Sequence, residues 1–198
     1  MINQANDINS PIYKILDSFA PRKSKFKSTK ELYSYAKKRI VGAANELERE
    51  YLIVADTKNN QIIAEKIGSG TIVTTEDIFI PENIKKHVVV MHGHTKKKSR
   101  MSLTDCRHLC IKGYDKSIVF DQRGRFSLLQ ILPNTNLDNA QELFEYGDLS
   151  KKSLLPKAIM KRFFVFLFGR EEKWCEKGLK KILANEKINL RYISNVFK

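Results

Sequence analysis

Two histidines, a serine and an aspartate fall within fourteen positions: His92-Gly93-His94 and, seven residues later, Ser102-Leu103-Thr104-Asp105. The chain holds four histidines, and half of them stand here. At average residue usage this set, at this spacing, arises by chance in roughly one such chain in a few thousand. Two imidazoles and one carboxylate fill three tetrahedral positions of a zinc ion and leave the fourth to water. That arrangement belongs to catalytic rather than structural sites. Each residue also has a plainer role. S-x-x-D is a common helix cap, and a single histidine at a strand end, such as His87, or on a helix, such as His108, is ordinarily solvated or satisfied. The matched spacing of all four residues favours the metal.

The elements around the motif must bring its parts together. His87-Val88-Val89-Val90-Met91 reads as a short buried strand, being β-branched, apolar and too short for a helix. Alternation sends His92 and His94 to one side, about 6–7 Å apart at the backbone. Leu103 to Ile111 lacks Gly and Pro and reads as a helix with Ser102 at its N-cap. Asp105 falls in the first turn, where the helix dipole favours an anion. Positions three apart share a helix face, so Ser102 and Asp105 can face one point.

With these residues in place, the sequence resembles the JAMM (JAB/MPN-type) metalloproteases, whose motif is H-x-H, seven residues, then S-x-x-D, with a glutamate upstream. His92, His94, Ser102 and Asp105 match it without a gap. The stretch from about Glu48 to Leu132 also looks like the RadC-like bacterial branch. There an "LD-x-x-N" turn and a "GT" segment precede the histidine strand. The counterparts here are Ile53-Val54-Ala55-Asp56-Thr57-Lys58-Asn59 and Gly70-Thr71. Two departures stand out: Gly93 replaces the usual Ser, Thr or Asn between the histidines, and Thr95 stands where many members have Pro.

The resemblance implies zinc held by His92, His94 and Asp105, with a glutamate at the start of the first strand as general base. Glu50, directly before Tyr51-Leu52-Ile53-Val54-Ala55, is the expected base. Glu48 is the alternative, lying on the same face if the strand has already begun. Alignment with JAMM proteases favours Glu50, and alignment with RadC-like chains favours Glu48. The Ser102 hydroxyl can donate to a developing oxyanion, a role worth roughly 3 kcal/mol in such positions. Glu46 and Glu65 read as solvated surface charges. Cys106 and Cys110 flank His108, and their four-residue spacing on an apolar helix marks a core face rather than a second metal site.

Composition bounds the rest. A chain of 198 residues suits one domain with appendages, and 42% hydrophobic residues can bury a core. Three cysteines without framework spacing indicate a reducing compartment. The polar start, Met1 to Pro11, lacks the apolar core of a signal peptide, and Phe163 to Phe168 is too short to span a bilayer. The expected location is therefore cytoplasmic, with no membrane span.

The net charge of +14 is concentrated in Arg22 to Lys30, Lys96 to Arg100 and the segment from Lys151 onward, while Asn134 to Ser150 is acidic. Such asymmetry suits nucleic acid or another acidic partner, although a lysine-rich solvated surface gives the same sum.

Along the chain the expected organisation is tripartite. Residues 1–27 form a polar basic lead with a short helix near Ile12 to Phe19. Residues 28–132 form the JAB/MPN-like core. It opens on the Ser28-Thr29-Lys30-Glu31 capping box and an amphipathic helix over 29–47 carrying Leu32, Ala36, Ile40, Ala43 and Leu47. Strands follow at 51–55, 61–66 and Gly70 to Val73, and a hairpin closes across Asp121-Gln122-Arg123-Gly124. Residues 133–198 form a basic extension with helices over Leu154 to Phe168 and Glu171 to Asn185. The fold class expected is α/β (α+β), a mixed and mostly antiparallel sheet flanked by helices, with a helical C-terminal extension.

Two functional classes follow. One is a zinc metallopeptidase, which the resemblance makes an isopeptidase acting on a protein or peptide substrate such as a ubiquitin-like modifier. The other is a RadC-like nucleic-acid-associated module that binds through its basic surfaces, with catalysis secondary or absent.

Overall fold

The first helix begins where its cap dictates. In the computed structural model, Ser28 accepts a hydrogen bond from the Glu31 backbone through its side chain, and α1 runs Thr29–Glu46. The structure describes residues 24–68, 73, 75, 78–95, 101–138, 140–141 and 190–194. The expected helices near 12–19, 154–168 and 171–185, the loop 96–100 and most of the 70–73 strand lie outside the described residues.

Among the described residues six strands follow the apolar runs: β1 (Tyr51–Asp56), β2 (Gln61–Ile67), β3 (Val88–Gly93), β4 (Lys116–Phe120), β5 (Phe126–Ile131) and β6 (Leu190–Ser194). Helix α2 (Leu103–Lys112) lies between β3 and β4 in sequence. The strands form one sheet in the order β2-β1-β3-β4-β5-β6. Only β3 and β4 run parallel, and every other neighbouring pair is antiparallel. The class is a mixed α+β fold, as the alternation of elements implies. A parallel pair needs a crossover connection, and α2 supplies it.

The sheet is covered on both faces, which explains why β1 and β3 are buried along their whole length. On one face, Leu32, Ala36, Ile40 and Ala43 of α1 pack with Ile53, Ala55, Val89 and Met91. On the other, Cys106, Leu109 and Cys110 of α2 pack with Leu52, Val54, Val88 and Val90. Both cysteines are buried, in keeping with a core role. Burial pushes the Cys110 thiol up to about 12, which leaves it inert.

Turn chemistry fixes the ends. Asp56, at the close of β1, accepts from the backbone N–H groups of Lys58 and Asn59 and from the Asn59 side chain. Gly113 ends α2 in the left-handed region at φ 65°, its N–H donating to the Leu109 and Cys110 carbonyls. Asp121 is buried in the β4–β5 hairpin, where Arg125 grips it at 2.6 Å.

Three features depart from the sequence reading. His87 closes a 3-10 turn (Glu82–His87) and β3 starts one residue later. Strand β6 pairs with β5 from within a segment expected to be helical. Its Leu190 and Tyr192 pack against the α2-side core, while Ile193 is exposed. Glu65, expected at the surface, has a side chain only 3% exposed. It is tolerated there because Tyr51 donates to its carboxylate and Arg39 of α1 pairs with it at 3.3 Å. Glu46 is exposed, as expected.

Candidate metal centre

The site forms at the end of the sheet where β3 and β4 finish and α2 begins. In open sheets with parallel strands, ligands gather at this end, because loops and helix N-termini converge there. Leu52 pairs with His92 in the β1–β3 register, and the His94 N–H donates to the Phe120 carbonyl at 2.9 Å. Alternation along β3 places Val88, Val90 and His92 toward α2, and Val89, Met91 and Gly93 toward α1. Gly93 is required by packing. A Cβ built there would stand 2.5 Å from Ile40 Cγ2. The departure at this position thus follows from the close approach of α1.

The four motif residues do converge. The Nε2 atoms of His92 and His94 are 3.2 Å apart. Asp105 Oδ1 lies 3.3 Å from His92 Nε2, and Asp105 Oδ2 lies 3.7 Å from His94 Nε2. One ligand atom from each of the three residues falls within 4.8 Å of the others. Ser102 and Asp105 form a reciprocal capping box. The Ser102 N–H and Oγ–H both donate to Asp105 Oδ2, at 2.7 and 2.8 Å, and the Asp105 N–H donates back to Ser102 Oγ at 3.1 Å. The single hydroxyl proton of Ser102 is therefore directed at Asp105. Its first duty here is to hold the aspartate, and donation to an oxyanion requires that bond to open.

The glutamates separate cleanly. Glu50 immediately precedes β1, and its carboxylate lies 4.0 Å from His94 Nε2 with a side chain 12% exposed. Glu48 is exposed in the turn before the strand, at φ 52°. That left-handed residue breaks the alternation on which its candidacy rested. The structure brings Glu50 to the histidines and leaves Glu48 outside.

Electrostatics follow from burial and company. Burial pushes Glu50 up to about 7; the His92 charge and a hydrogen bond from the Val73 backbone oppose this, and Asp105 adds to it. For His92, burial favours the neutral ring, but the Asp105 carboxylate, hydrogen-bonded to it, and Glu50 together raise its pKa. For Asp105, burial acts upward. The charge and hydrogen bond of His92, the charge of His94 and the Ser102 backbone outweigh it and hold the carboxyl below its usual range. Three acids and bases thus share one pocket of mutually shifted charge, a pattern that marks functional sites.

A small cleft, partly open to solvent, adjoins His92 and Asp105. Leu52, Val90 and Leu109 give it apolar walls, and Thr75, Tyr114 and Ser117 bring hydroxyl-bearing side chains to it. His108, one helical turn beyond Asp105, is exposed at the same cleft. The sequence reading assigned these residues no part in the site. The i, i+3 spacing of Asp105 and His108 was the available signal, whereas Thr75 and Ser117 gave none.

No family model, curated protein or solved structure matches this chain. Among the described residues, no helix is long and apolar enough to cross a membrane.

Proposed function

We propose that the protein is a zinc-dependent metallopeptidase of the JAMM type, hydrolysing an amide bond with Glu50 as general base. The observation that carries this reading is the convergence of His92, His94 and Asp105 within 4.8 Å, with the Glu50 carboxylate beside them. The donor set suits zinc: two imidazole nitrogens, one carboxylate oxygen and a second carboxylate left over. Asp105 presents Oδ1 toward His92 while Ser102 satisfies Oδ2, the kind of outer support that orients a metal ligand.

Bound there, zinc supplies Lewis acidity and lowers the pKa of water toward about 7. Glu50, whose carboxylate lies beside His94, is placed to take a proton from water and return it to the leaving nitrogen. The buried setting of Glu50 and His92 excludes bulk water and strengthens these interactions. The bond class, an isopeptide on a lysine amine of a protein such as one carrying a ubiquitin-like modifier, rests on the motif resemblance.

The test is a pair of measurements on the purified chain. About one zinc per chain is expected by elemental analysis, and Glu50→Gln is expected to retain it while losing about 10²–10⁴-fold in hydrolysis. Folded protein that takes up no transition metal at all would end this reading.

A second reading, nucleic-acid binding, is favoured by one placement. Lys58 and Lys86 are exposed at the opposite end of the sheet, where β1 ends and β3 begins, beside Lys116, which pairs with Asp115 at 3.0 Å. A steep loss of duplex affinity with rising salt is the expected signature of such binding.

A further inference from the structure

We propose that the outward face of α1, with the β4–β5 hairpin beside it, binds the phosphate backbone of a nucleic-acid duplex. The inference rests on the nucleic-acid reading and gives it a surface. Outward positions recur every three or four residues along a helix. Along α1 they carry Lys30, Ser34, Lys37, Lys38, Val41 and Asn45, all exposed except the half-buried Val41. No carboxylate stands among them. Glu31 is half-buried, and its carboxylate accepts from the Lys27 N–H at 2.9 Å. Glu46 lies about 100° round the helix from Asn45.

The hairpin widens this face. A Cβ built at Gly124 would stand 2.7 Å from Lys37 Cε and 3.7 Å from Val41 Cγ2, so the hairpin rests on α1. Asn45 donates to the Gln122 carbonyl at 3.1 Å, and the Gln122 side chain donates to the Ala44 carbonyl at 3.3 Å. Arg123, at the hairpin tip, is exposed. The nearby Asp121 carboxylate is committed to the Arg123 and Arg125 backbone N–H groups and to the Arg125 guanidinium. Among the described residues, no ion pair engages Lys30, Lys37, Lys38 or Arg123. Four like charges are thus held on one rigid surface, where they repel one another and attract a polyanion. At the other end of α1, Thr29 Oγ1 donates to Asn60 Oδ1 at 2.7 Å, which sets the helix start beside the turn that carries Lys58.

The chemistry of the face selects its occupant. Lysine is depleted at protein–protein interfaces, whereas protein–DNA interfaces are strongly positive. Single strands are gripped by stacking on aromatic rings, and the outward positions of α1 supply none. A duplex offers one phosphate charge per about 1.7 Å of its axis, so ammonium groups spread over about 12 Å from Lys30 to Lys38 find partners without a matched sequence.

The experiment uses the full-length chain and a fluorescein-labelled DNA duplex of about 20 random base pairs, followed by anisotropy at several salt concentrations. Replacing Lys30, Lys37 and Lys38 together by glutamine is expected to lower the slope of log affinity against log salt by about 0.9 per lost contact, about 2–3 in total. Lys112→Gln, on α2 and so on the other face of the sheet, should leave the slope unchanged. Should the triple variant not fold, Lys30→Gln with Lys38→Gln keeps the Lys37 stem on Gly124 and should give about two thirds of the change. A variant with the parent's slope overturns the α1 face while duplex binding itself stands. A parent chain without salt-dependent duplex binding ends the nucleic-acid reading as a whole. If polyglutamate of equal charge displaces the labelled duplex as well as unlabelled duplex does, the partner is an acidic protein and the nucleic-acid assignment falls.

Discussion

Ile40 of α1 rests against the backbone of Gly93, the residue between the two histidines, so closely that a Cβ at position 93 would stand 2.5 Å from Ile40 Cγ2. The helix on one face of the sheet therefore sets the height of the strand that carries His92 and His94. Substitution by serine, alanine or asparagine forces either the helix or the strand to move.

Gly93→Ser is accordingly expected to destabilise the fold by about 1–3 kcal/mol, the usual cost of overpacking a filled core. Ile40→Ala costs stability by itself through the cavity it leaves. Combined with Gly93→Ser it should cost less than the sum of the two, because the missing methyls make room for the serine. Urea unfolding of the two single variants and the double variant measures the coupling. Strict additivity would show that the contact carries no strain.

The pH dependence of the metal-free protein follows from two raised pKa values. Glu50 ionises near 4.5 in the unfolded chain and about 7 in the fold. His92, ordinarily near 6.5, is raised as well. Between these values the native state binds more protons than the unfolded state, so stability is fully present at low pH and falls as pH rises. Asp105 acts in the opposite sense, but its window lies below its ordinary value of 3.8. Chelator-treated protein should therefore lose stability as pH rises from about 4.5 through about 7 and onward, and Glu50→Gln should flatten the part up to about pH 7. Zinc requires a neutral His92, so the stabilisation it brings should grow over the same range. Urea midpoints at four pH values with and without zinc check both slopes.

Ser102→Ala removes two hydrogen bonds at once: the cap to the Asp105 N–H and the donor to Asp105 Oδ2. Loss of the cap is expected to cost about 1 kcal/mol. Loss of the donor frees a metal ligand, which typically weakens metal affinity by about 10–100-fold. Thr in place of Ser keeps the hydroxyl and should restore most of both. If Ser102→Ala changes activity and leaves zinc affinity untouched, the hydroxyl acts on the substrate rather than on Asp105.

What the sequence disclosed depended on how local the information was. Helix α1 was readable because its capping box and its apolar positions are close neighbours in the chain. The ligand cluster was readable for the same reason, since His92, His94, Ser102 and Asp105 lie on one strand end and the next helix start. The choice between Glu50 and Glu48 was not, because it turned on the left-handed backbone of Glu48 just ahead of the strand. Strand β6 is five residues long, with only Leu190 and Tyr192 as inward apolar side chains, and gains its place by pairing with β5 from far along the chain. The cleft was hidden because Val73, Thr75 and Ser117 reach it from separate segments.

Glu65 shows the same limit and leads to the last prediction. The sequence marked it only as a solvated surface charge, yet Arg39, 26 residues earlier, covers it. The Arg39 guanidinium also sits 5.4 Å from the Tyr51 ring and donates to the Tyr51 hydroxyl at 2.9 Å. Removing one partner leaves a buried charge uncompensated, at a typical cost of about 3–5 kcal/mol. Arg39→Met and Glu65→Ala should each destabilise the fold by that order. The double replacement Arg39→Met with Glu65→Leu should recover much of the loss, because neither charge then remains. The network lies on the α1 face of the sheet, with Tyr51, and the ligands lie toward α2, so the folded fraction of each variant should bind zinc as the parent does. Chemical denaturation gives the first quantity and zinc titration the second. A fall in zinc affinity along with stability would mean that α1 sets the ligand geometry through Arg39 as well as through Ile40.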